Sequence, residues 1–220
     1  ETRIVDCVTR GINPYTNTDE FFDCAKNPDL RFIVSNTTEA GIEYKPNQNP
    51  DDFNGLTFPG RLTLFMKKRF DEGLGGFILL PCELIDKNGD NLKECILKYS
   101  VDWGYGGEFE KWIETENHFT NTLVDRIVTG YPRDNAKEME QSYGYLDDMI
   151  DTAEIFHLWV IEGDKKLAEE IPFHKIGLNV LWTDDVTPYK KRKVRILNGA
   201  HTMTAVSYTH LRAHETRHDL

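Results

Sequence analysis

The sequence predicts an α/β fold with a parallel sheet. Residues 30–35, 77–81 and 178–182 are short apolar runs typical of strands, and the uninterrupted run at 77–81 is the pattern of a buried parallel strand. Between the first two runs, residues 58–70 repeat apolar side chains at helical spacing. Strands that alternate with helices are typical of a parallel sheet covered by helices.

Composition limits the classes of partner. The 220 residues are 39% hydrophobic, which suffices for one sizeable core or for one domain and a piece of another. Acidic residues number 37 and basic residues 26, so the net charge is −11. An acidic chain is a poor binder of nucleic acid and of anionic membranes, and we expect neither as a partner. No apolar run approaches about 18 residues, so we expect no transmembrane helix.

The cysteines indicate a reducing compartment. Cys7, Cys24, Cys82 and Cys95 are widely spaced, lie in apolar contexts and form no C-x-x-C pair. We interpret them as reduced thiols in or near the core, in preference to disulfides, and therefore expect a cytoplasmic protein.

The other elements follow from local patterns. Residues 3–9 are rich in branched side chains and predict a short strand, and residues 19–25 predict a short helix. Residues 91–99 and 108–116 have amphipathic helical spacing. The glycine-rich residues 103–107 lack the strand and helix context of a phosphate-binding loop and are interpreted as a linker.

A further strand is predicted at residues 155–161, and a helix after Asp184 or Asp185. The residues before that helix can cap its N-terminus, and Pro188 suits its first turn. Within it, Lys193, Asn198 and His201 are five and eight residues apart. At about 100° per residue all three fall within roughly 140° of arc and can face one cleft.

An amine, an amide and an imidazole on one helix face suit the interconversion of an alcohol and a ketone. They could serve as proton acceptor, oxyanion donor and hydroxyl partner, respectively. The basic residues 190–195 are also compatible with a solvated helix end, and spacing alone is a weak argument for catalysis.

Longer sequence blocks resemble a known family. The pattern K-x4-N-x2-H at residues 193–201 follows T-D-D-V-T-P-Y and resembles the catalytic helix of the mannitol dehydrogenase family, the polyol-specific long-chain dehydrogenases. V-D-R-I at residues 124–127 resembles a second signature of that family. Four further blocks are similar to its tagaturonate reductase (altronate oxidoreductase) branch: residues 32–42, 80–85, 127–134 and 156–163.

The resemblance runs in order from about Arg3 to Thr202 and implies a domain organisation. Residues 1–183 would be a Rossmann-like, doubly wound domain without its N-terminal glycine-rich unit, because no G-x-G-x-x-G occurs in the sequence. Residues 184–205 would open a mostly α-helical substrate domain. Residues 206–220 resemble a translated cloning adapter, and we expect a chain truncated at both ends.

The function implied is an NAD-dependent oxidoreductase of hexuronate breakdown. It would interconvert D-tagaturonate and D-altronate, a small sugar acid pair, by hydride transfer without a metal. Lys193 would transfer the proton, Asn198 would stabilise the oxyanion, and His201 would hold a substrate hydroxyl. Asp125 would lie near the substrate and orient His201, although it could instead form an internal salt bridge with Arg126.

Two loops carry the remaining candidate residues. Ser35, Thr37 and Glu39 follow the carboxyl end of a predicted strand, where ligands of open α/β sheets bind, so they are candidates for the cofactor site. The alternative is a plain polar turn. In the family an asparagine of the loop after residues 77–81 helps hold a substrate oxygen. This chain departs from the mannitol-type C-D-N there, which leaves Asn88 of the Asn-Gly turn signal as the substitute.

Three alternatives remain from the sequence. A sister activity, fructuronate reductase or mannitol dehydrogenase, would keep the family and change the substrate. A catalytically inactive fragment is the second alternative. The third is a zinc peptidase, because residues 214–218 fit H-E-x-x-H. We reject a zinc site there, since the motif lies two residues from the chain end and no third ligand can follow it.

Overall fold

A computed structural model describes residues 2–215, with side chains up to residue 210. The chain forms two compact units, one up to Thr122 and one from Leu123 on. The H-E-x-x-H motif and most of the adapter-like tail lie outside the residues whose side chains are described. The predicted domain boundary after residue 183 stays a prediction.

The first unit contains a parallel three-stranded sheet. Its strands are β1 (Phe32–Ser35), β2 (Ile78–Pro81) and β3 (His118–Phe119), in the order β1-β2-β3. All four residues of the central strand β2 are buried. The sheet confirms the two apolar strands predicted in this half of the chain. The central strand β2 is buried throughout, as a strand with neighbours on both edges and both faces should be. Strand β1 lies at an edge of this sheet, and its Val34 is 59% exposed.

Four helices accompany this sheet: α1 (Thr18–Ala25), α2 (Phe58–Asp71), α3 (Asn88–Asp102) and α4 (Gly107–Glu116), with a 3₁₀ turn at Phe53–Gly55. Thr57 caps α2, since its Oγ1 accepts a hydrogen bond of 3.3 Å from the Gly60 N–H. Met66, Ile96 and Ile113 are each 0% exposed and join α2, α3 and α4 in one core. The predicted apolar stripe of α2 is therefore confirmed.

Truncation of a buried side chain in this core should lower the free energy of unfolding. We expect Ile96→Ala to lower the free energy of unfolding of the chain by about 2–5 kcal/mol, through lost burial and the cavity left behind. Val101 lies on the same helix but is 66% exposed, and Val101→Ala should change stability by no more than about 0.5 kcal/mol. Urea unfolding measures both values. Equal effects of the two substitutions would contradict this packing.

The second unit contains two small sheets. One has the order β4 (Asn121–Asp125), β7 (Leu158–Glu162) and β8 (Val180–Thr183), and its β7 and β8 are parallel. In the other, β5 (Val128–Gly130) pairs antiparallel with β6 (Thr152–Ala153). The helical segments are α5 (Ala136–Tyr143), α6 (Leu167–Glu170), a 3₁₀ turn (Phe173–Ile176), α7 (Thr187–Arg192), a π-helical segment (Lys193–Asn198) and α8 (Gly199–Glu215). Strands β7 and β8 and helix α7 confirm the elements predicted there.

The strand predicted at residues 3–9 is wrong. These residues form no regular element, and Ile4, Val5 and Val8 are 73%, 68% and 74% exposed. A strand forms only when a neighbour pairs with its backbone, and none of the described strands pairs with this segment. Cys7 is consequently exposed, which corrects its predicted place near the core, whereas Cys95 is buried as expected.

No helix within residues 2–215 combines the length and the hydrophobicity that crossing a bilayer requires. Among the described side chains, no three or more histidines, cysteines and carboxylates lie together as a group that could hold a metal ion.

Candidate active site

Lys193 is held at the carboxyl end of β4. Its Nζ donates a hydrogen bond of 2.9 Å to the carbonyl oxygen of Val124 and forms an ion pair of 3.1 Å with Oδ1 of Asp125. The two charged side chains are only 14% and 15% exposed. The ammonium group is thus fixed by two oxygens and shielded from most of the solvent, which orders a normally flexible side chain.

A small core brings the helix that precedes Lys193 to this place. Leu123 of β4, Val160 of β7 and Val186 before α7 are buried together. The start of α7 is also fixed, because the Val186 N–H donates 2.8 Å to Oε2 of Glu162 on β7. Pro188 occupies the first turn, as predicted. Packing of α7 against the sheet therefore directs the following residues toward the end of β4.

The segment that carries Lys193 and Asn198 is π-helical, not α-helical as the spacing argument assumed. It runs from Lys193 to Asn198, and the Gly199 N–H donates to the carbonyl oxygen of Val194, five residues earlier. In a π-turn residues five apart are hydrogen-bonded neighbours. The angle between their side chains around the helix axis is therefore smaller than the roughly 140° that separates residues five apart in an α-helix. Lys193 and Asn198 are five apart, and such turns occur frequently at functional sites.

The other two predicted partners of this cleft lie in solvent. Asn198 and His201 are exposed, and neither side chain makes a hydrogen bond within the described part of the chain. Asp125 contacts Lys193, whereas the sequence suggested His201 or Arg126 as its partner. The Nε of Arg126 instead donates 3.2 Å to the carbonyl oxygen of Glu154. The structure therefore joins Asp125 and Lys193 and leaves Asn198 and His201 available to a ligand.

In the first unit, the loop after β1 is organised by Glu83. This carboxylate is 2% exposed. Its Oε2 accepts 3.1 Å from Oγ of Ser35, and its Oε1 accepts 3.1 Å from the N–H and 2.9 Å from Oγ1 of Thr37. Ser35 and Thr37 thus meet on one carboxylate, while Glu39 of the same predicted set is exposed.

Asn88 is fully buried and bonds to backbone only. Its Nδ2 donates to the carbonyl oxygens of Pro81, Glu83 and Thr122 at 2.8, 3.1 and 3.1 Å. Its Oδ1 accepts from the N–H of Thr122 at 2.8 Å and of Gly89 at 3.0 Å. Asn88 begins α3 where a turn was expected. The side chain braces the loop of residues 82–88 and leaves no exposed atom for a substrate oxygen in this structure.

Gly89 allows this arrangement. A Cβ at residue 89 would lie 2.3 Å from the carbonyl oxygen of Thr120. Only glycine therefore lets the start of α3 approach the backbone next to β4 so closely.

Burial should make Cys82 slow to alkylate. It raises the pKa of the Cys82 thiol to about 11, more than the nearby hydroxyl of Thr122 lowers it. Because the thiolate is the nucleophile, we expect iodoacetamide at pH 8 to modify exposed Cys7 at least about tenfold faster than Cys82. Peptide mass spectrometry measures both rates, and the urea-unfolded chain, in which they should converge, is the control. Equal rates in the folded chain would contradict the burial of Cys82.

Sequence reasoning missed two features, the role of Glu83 and the pairing of Lys193 with Asp125. A signal for Glu83 existed, because it is a charged residue directly after the carboxyl end of an apolar strand, where open α/β sheets place their sites. The pairing of Lys193 with Asp125 had no local signal, since the two residues are 68 positions apart.

Comparisons with known proteins identify the family of the chain. The family described as the Mannitol dehydrogenase Rossmann domain matches residues 2–175. Altronate oxidoreductases of Enterobacter sp. (strain 638) and Shigella flexneri are each 49% identical to the chain over 206 residues, which is 92% of this chain and 43% of each relative. The chain therefore spans less than half the length of these curated relatives.

Two solved structures share the fold. D-sorbitol dehydrogenase in its substrate-free form has a TM-score of 0.69 at 26% identity and covers 86% of this chain and 41% of its own. The ternary complex of Pseudomonas fluorescens mannitol 2-dehydrogenase with NAD and D-mannitol has a TM-score of 0.68 at 22% identity. The match covers 86% of this chain and 40% of the dehydrogenase chain. The Rossmann-like expectation is confirmed. The chain belongs to the mannitol dehydrogenase family.

Proposed function

We propose that this chain forms the cofactor-binding and proton-transfer part of an NAD-dependent reductase that interconverts D-tagaturonate and D-altronate. The observation that carries the proposal is the fixed ammonium group of Lys193 at the end of β4. The 49% identity to altronate oxidoreductases supports the sugar acid as substrate class.

Three side chains of the second unit have roles in this chemistry. When bound, the nicotinamide cofactor supplies the hydride that reduces the ketone carbon. Lys193 Nζ gives its proton to the ketone oxygen, and in the oxidation direction it takes the proton back. The amide of Asn198 donates a hydrogen bond to the same oxygen while negative charge develops on it. His201 holds a neighbouring hydroxyl of the sugar chain.

Asp125 fixes the proton donor in this scheme. Held by Asp125 and by the carbonyl oxygen of Val124, the Lys193 side chain cannot explore its many rotamers. Because a catalytic group that is already oriented avoids an entropic cost in the transition state, such fixation raises the rate.

The residues of the first unit fit one part of a dinucleotide. Of the three predicted cofactor residues, Thr37 and Glu39 are exposed after the carboxyl end of β1 in a parallel sheet, which is the edge where such ligands bind. Ser35 is 7% exposed, and its Oγ donates to Glu83, so it supports the loop instead of facing a ligand. A Cβ at Gly41 would lie 1.9 Å from Oγ1 of Thr37, so the loop is closely packed there. We assign these loop residues to the cofactor and assign no residue of this chain to its pyrophosphate.

The test uses a completed protein. We define it as the full-length altronate oxidoreductase of Enterobacter sp. in which this chain replaces its matching segment. Oxidation of NADH is followed with D-tagaturonate, D-fructuronate and D-fructose in turn. Turnover with D-tagaturonate above the other two is the expected result. Preference for either of the others would replace the substrate by that of a sister activity, and a folded protein inert toward all three would overturn the proposal.

A further inference from the structure

The first unit contains a buried carboxylate that the proposed chemistry does not use. Glu83 lies directly after β2 and is 2% exposed. Buried carboxylates are costly unless they are paired or fully hydrogen-bonded. Among the described residues Glu83 has no ion-pair partner, so its three hydrogen bonds from Ser35 and Thr37 are what stabilise it.

Those three bonds all reach the loop after β1. The two residues that donate them lie 46 and 48 positions away in sequence, so the carboxylate joins the carboxyl ends of two adjacent parallel strands. Hydrogen bonds to a charged acceptor are stronger than neutral ones. The conformation of Thr37, including its backbone N–H, is therefore set by Glu83.

The loop that carries Glu83 is itself braced. Nδ2 of Asn88 donates 3.1 Å to the carbonyl oxygen of Glu83 and 2.8 Å to that of Pro81. Asn88 thus fixes the backbone of Glu83, and Glu83 fixes Thr37. Beyond Thr37 the chain turns tightly, with the Gly41 N–H donating 2.8 Å to the carbonyl oxygen of Thr38.

We infer that Glu83 is a positioning residue for the cofactor: through its hydrogen bonds to Ser35 and Thr37 it holds the loop after β1 in the conformation that binds the nicotinamide dinucleotide. This inference rests on the proposed function. Glu83 acts through the loop, because its carboxylate is 2% exposed and accepts its hydrogen bonds from Ser35 and Thr37.

Substitution of Glu83 by glutamine and by alanine distinguishes positioning of the loop through hydrogen bonds from a direct effect of the negative charge on the cofactor. In Glu83→Gln the amide oxygen can accept both bonds from Thr37, and the amide nitrogen can donate to Oγ of Ser35. Glu83→Ala removes all three bonds. Glu94 is a matched control, since its side chain is 62% exposed and pairs only with Lys98 on the same helix.

In the completed protein we expect Glu83→Ala to raise the Kd and KM for NADH about tenfold, because the loop must then be ordered when the cofactor binds. The kcat at saturating NADH should be unchanged. Glu83→Gln should restore the parent values within about twofold. Glu94→Ala should equal the parent. If Glu83→Ala does not fold, Glu83→Asp takes its place, because its carboxylate stops short of Thr37 by about one carbon–carbon bond.

A second readout needs no cofactor. In the chain alone, hydrogen–deuterium exchange of the Thr37 amide should be faster in Glu83→Ala than in the parent. In Glu83→Gln the exchange rate should equal that of the parent. Unchanged NADH affinity and unchanged exchange in Glu83→Ala would overturn the inference. An equal loss of affinity in the Gln and Ala variants would also overturn it, since the charge would then act directly. A parent protein that oxidises no NADH with any sugar acid would instead overturn the proposed function.

Discussion

Replacement of Lys193 by alanine in the completed protein should lower kcat for D-tagaturonate reduction by about 10²–10⁴-fold, the range that one positioned proton-transfer group contributes. The Kd for NADH should stay within about twofold of the parent value, because the proposed role of Lys193 is proton transfer to the sugar acid and not binding of the cofactor. Stopped-flow absorbance of NADH at saturating substrate measures the first quantity, and NADH fluorescence the second.

Lys191→Ala is the matched control for this experiment. Lys191 is exposed and precedes Lys193 by two residues, so its loss removes the same charge without removing the fixed amine. Added methylamine should restore part of the lost kcat in Lys193→Ala, since a small amine can occupy the space that the side chain leaves. A Lys193→Ala protein as active as the Lys191→Ala control would contradict the assignment of proton transfer.

Removal of Asp125 should have the second-largest effect. In Asp125→Ala, Lys193 keeps only its bond to the carbonyl oxygen of Val124. We expect kcat to fall about 100-fold, as a misplacement near 1 Å of a reacting group does. Asp125→Asn should lose less, because the amide oxygen can still accept one hydrogen bond from Nζ. Steady-state kinetics with D-tagaturonate measures both.

The control for Asp125 is an exposed ion pair of the same unit. Glu169 and Lys175 pair with side chains that are 67% and 54% exposed, and such pairs contribute little. Glu169→Ala should leave kcat unchanged. If Asp125→Ala raised only the KM for the sugar acid, Asp125 would be a substrate contact and not the residue that fixes Lys193.

Elements whose pattern is local were predictable from the sequence. Residues 77–81 are apolar without interruption, and β2 is buried at every position. Residues 58–70 carry a stripe at helical spacing, and α2 buries that stripe. Residues 3–9 show the limit of such reasoning. Their composition favours a strand, but a strand forms only beside a second strand that pairs with it. The local composition does not show whether such a partner exists.

The contacts of the candidate site were not predictable, because they join distant residues. The sequence identified Lys193 and Asp125 as residues with suitable chemistry, yet nothing local indicated that they pair with each other. Asn88 is a second case. Its Asn-Gly dipeptide favours a turn, but the amide bonds to Thr122, 34 residues away, and starts a helix instead.

The π-helical segment could not be predicted from the sequence, for a different reason. Periodicity analysis places side chains on an α-helix of 3.6 residues per turn and cannot detect a single wider turn. On an α-helix Lys193 and Asn198 are roughly 140° apart, whereas the observed π-helical backbone brings residues at that spacing closer to one face.

The most direct test of the proposed proton transfer is a crystal structure of the completed protein with NAD and D-altronate bound. We expect Nζ of Lys193 to lie within about 3.2 Å of the hydroxyl oxygen on the carbon to be oxidised, within hydrogen-bond reach for proton transfer. We also expect the Asn198 amide to contact the same oxygen and Asp125 to pair with Lys193 as before. A hydroxyl oxygen bonded to another side chain and out of reach of Lys193 would contradict the proposed proton transfer.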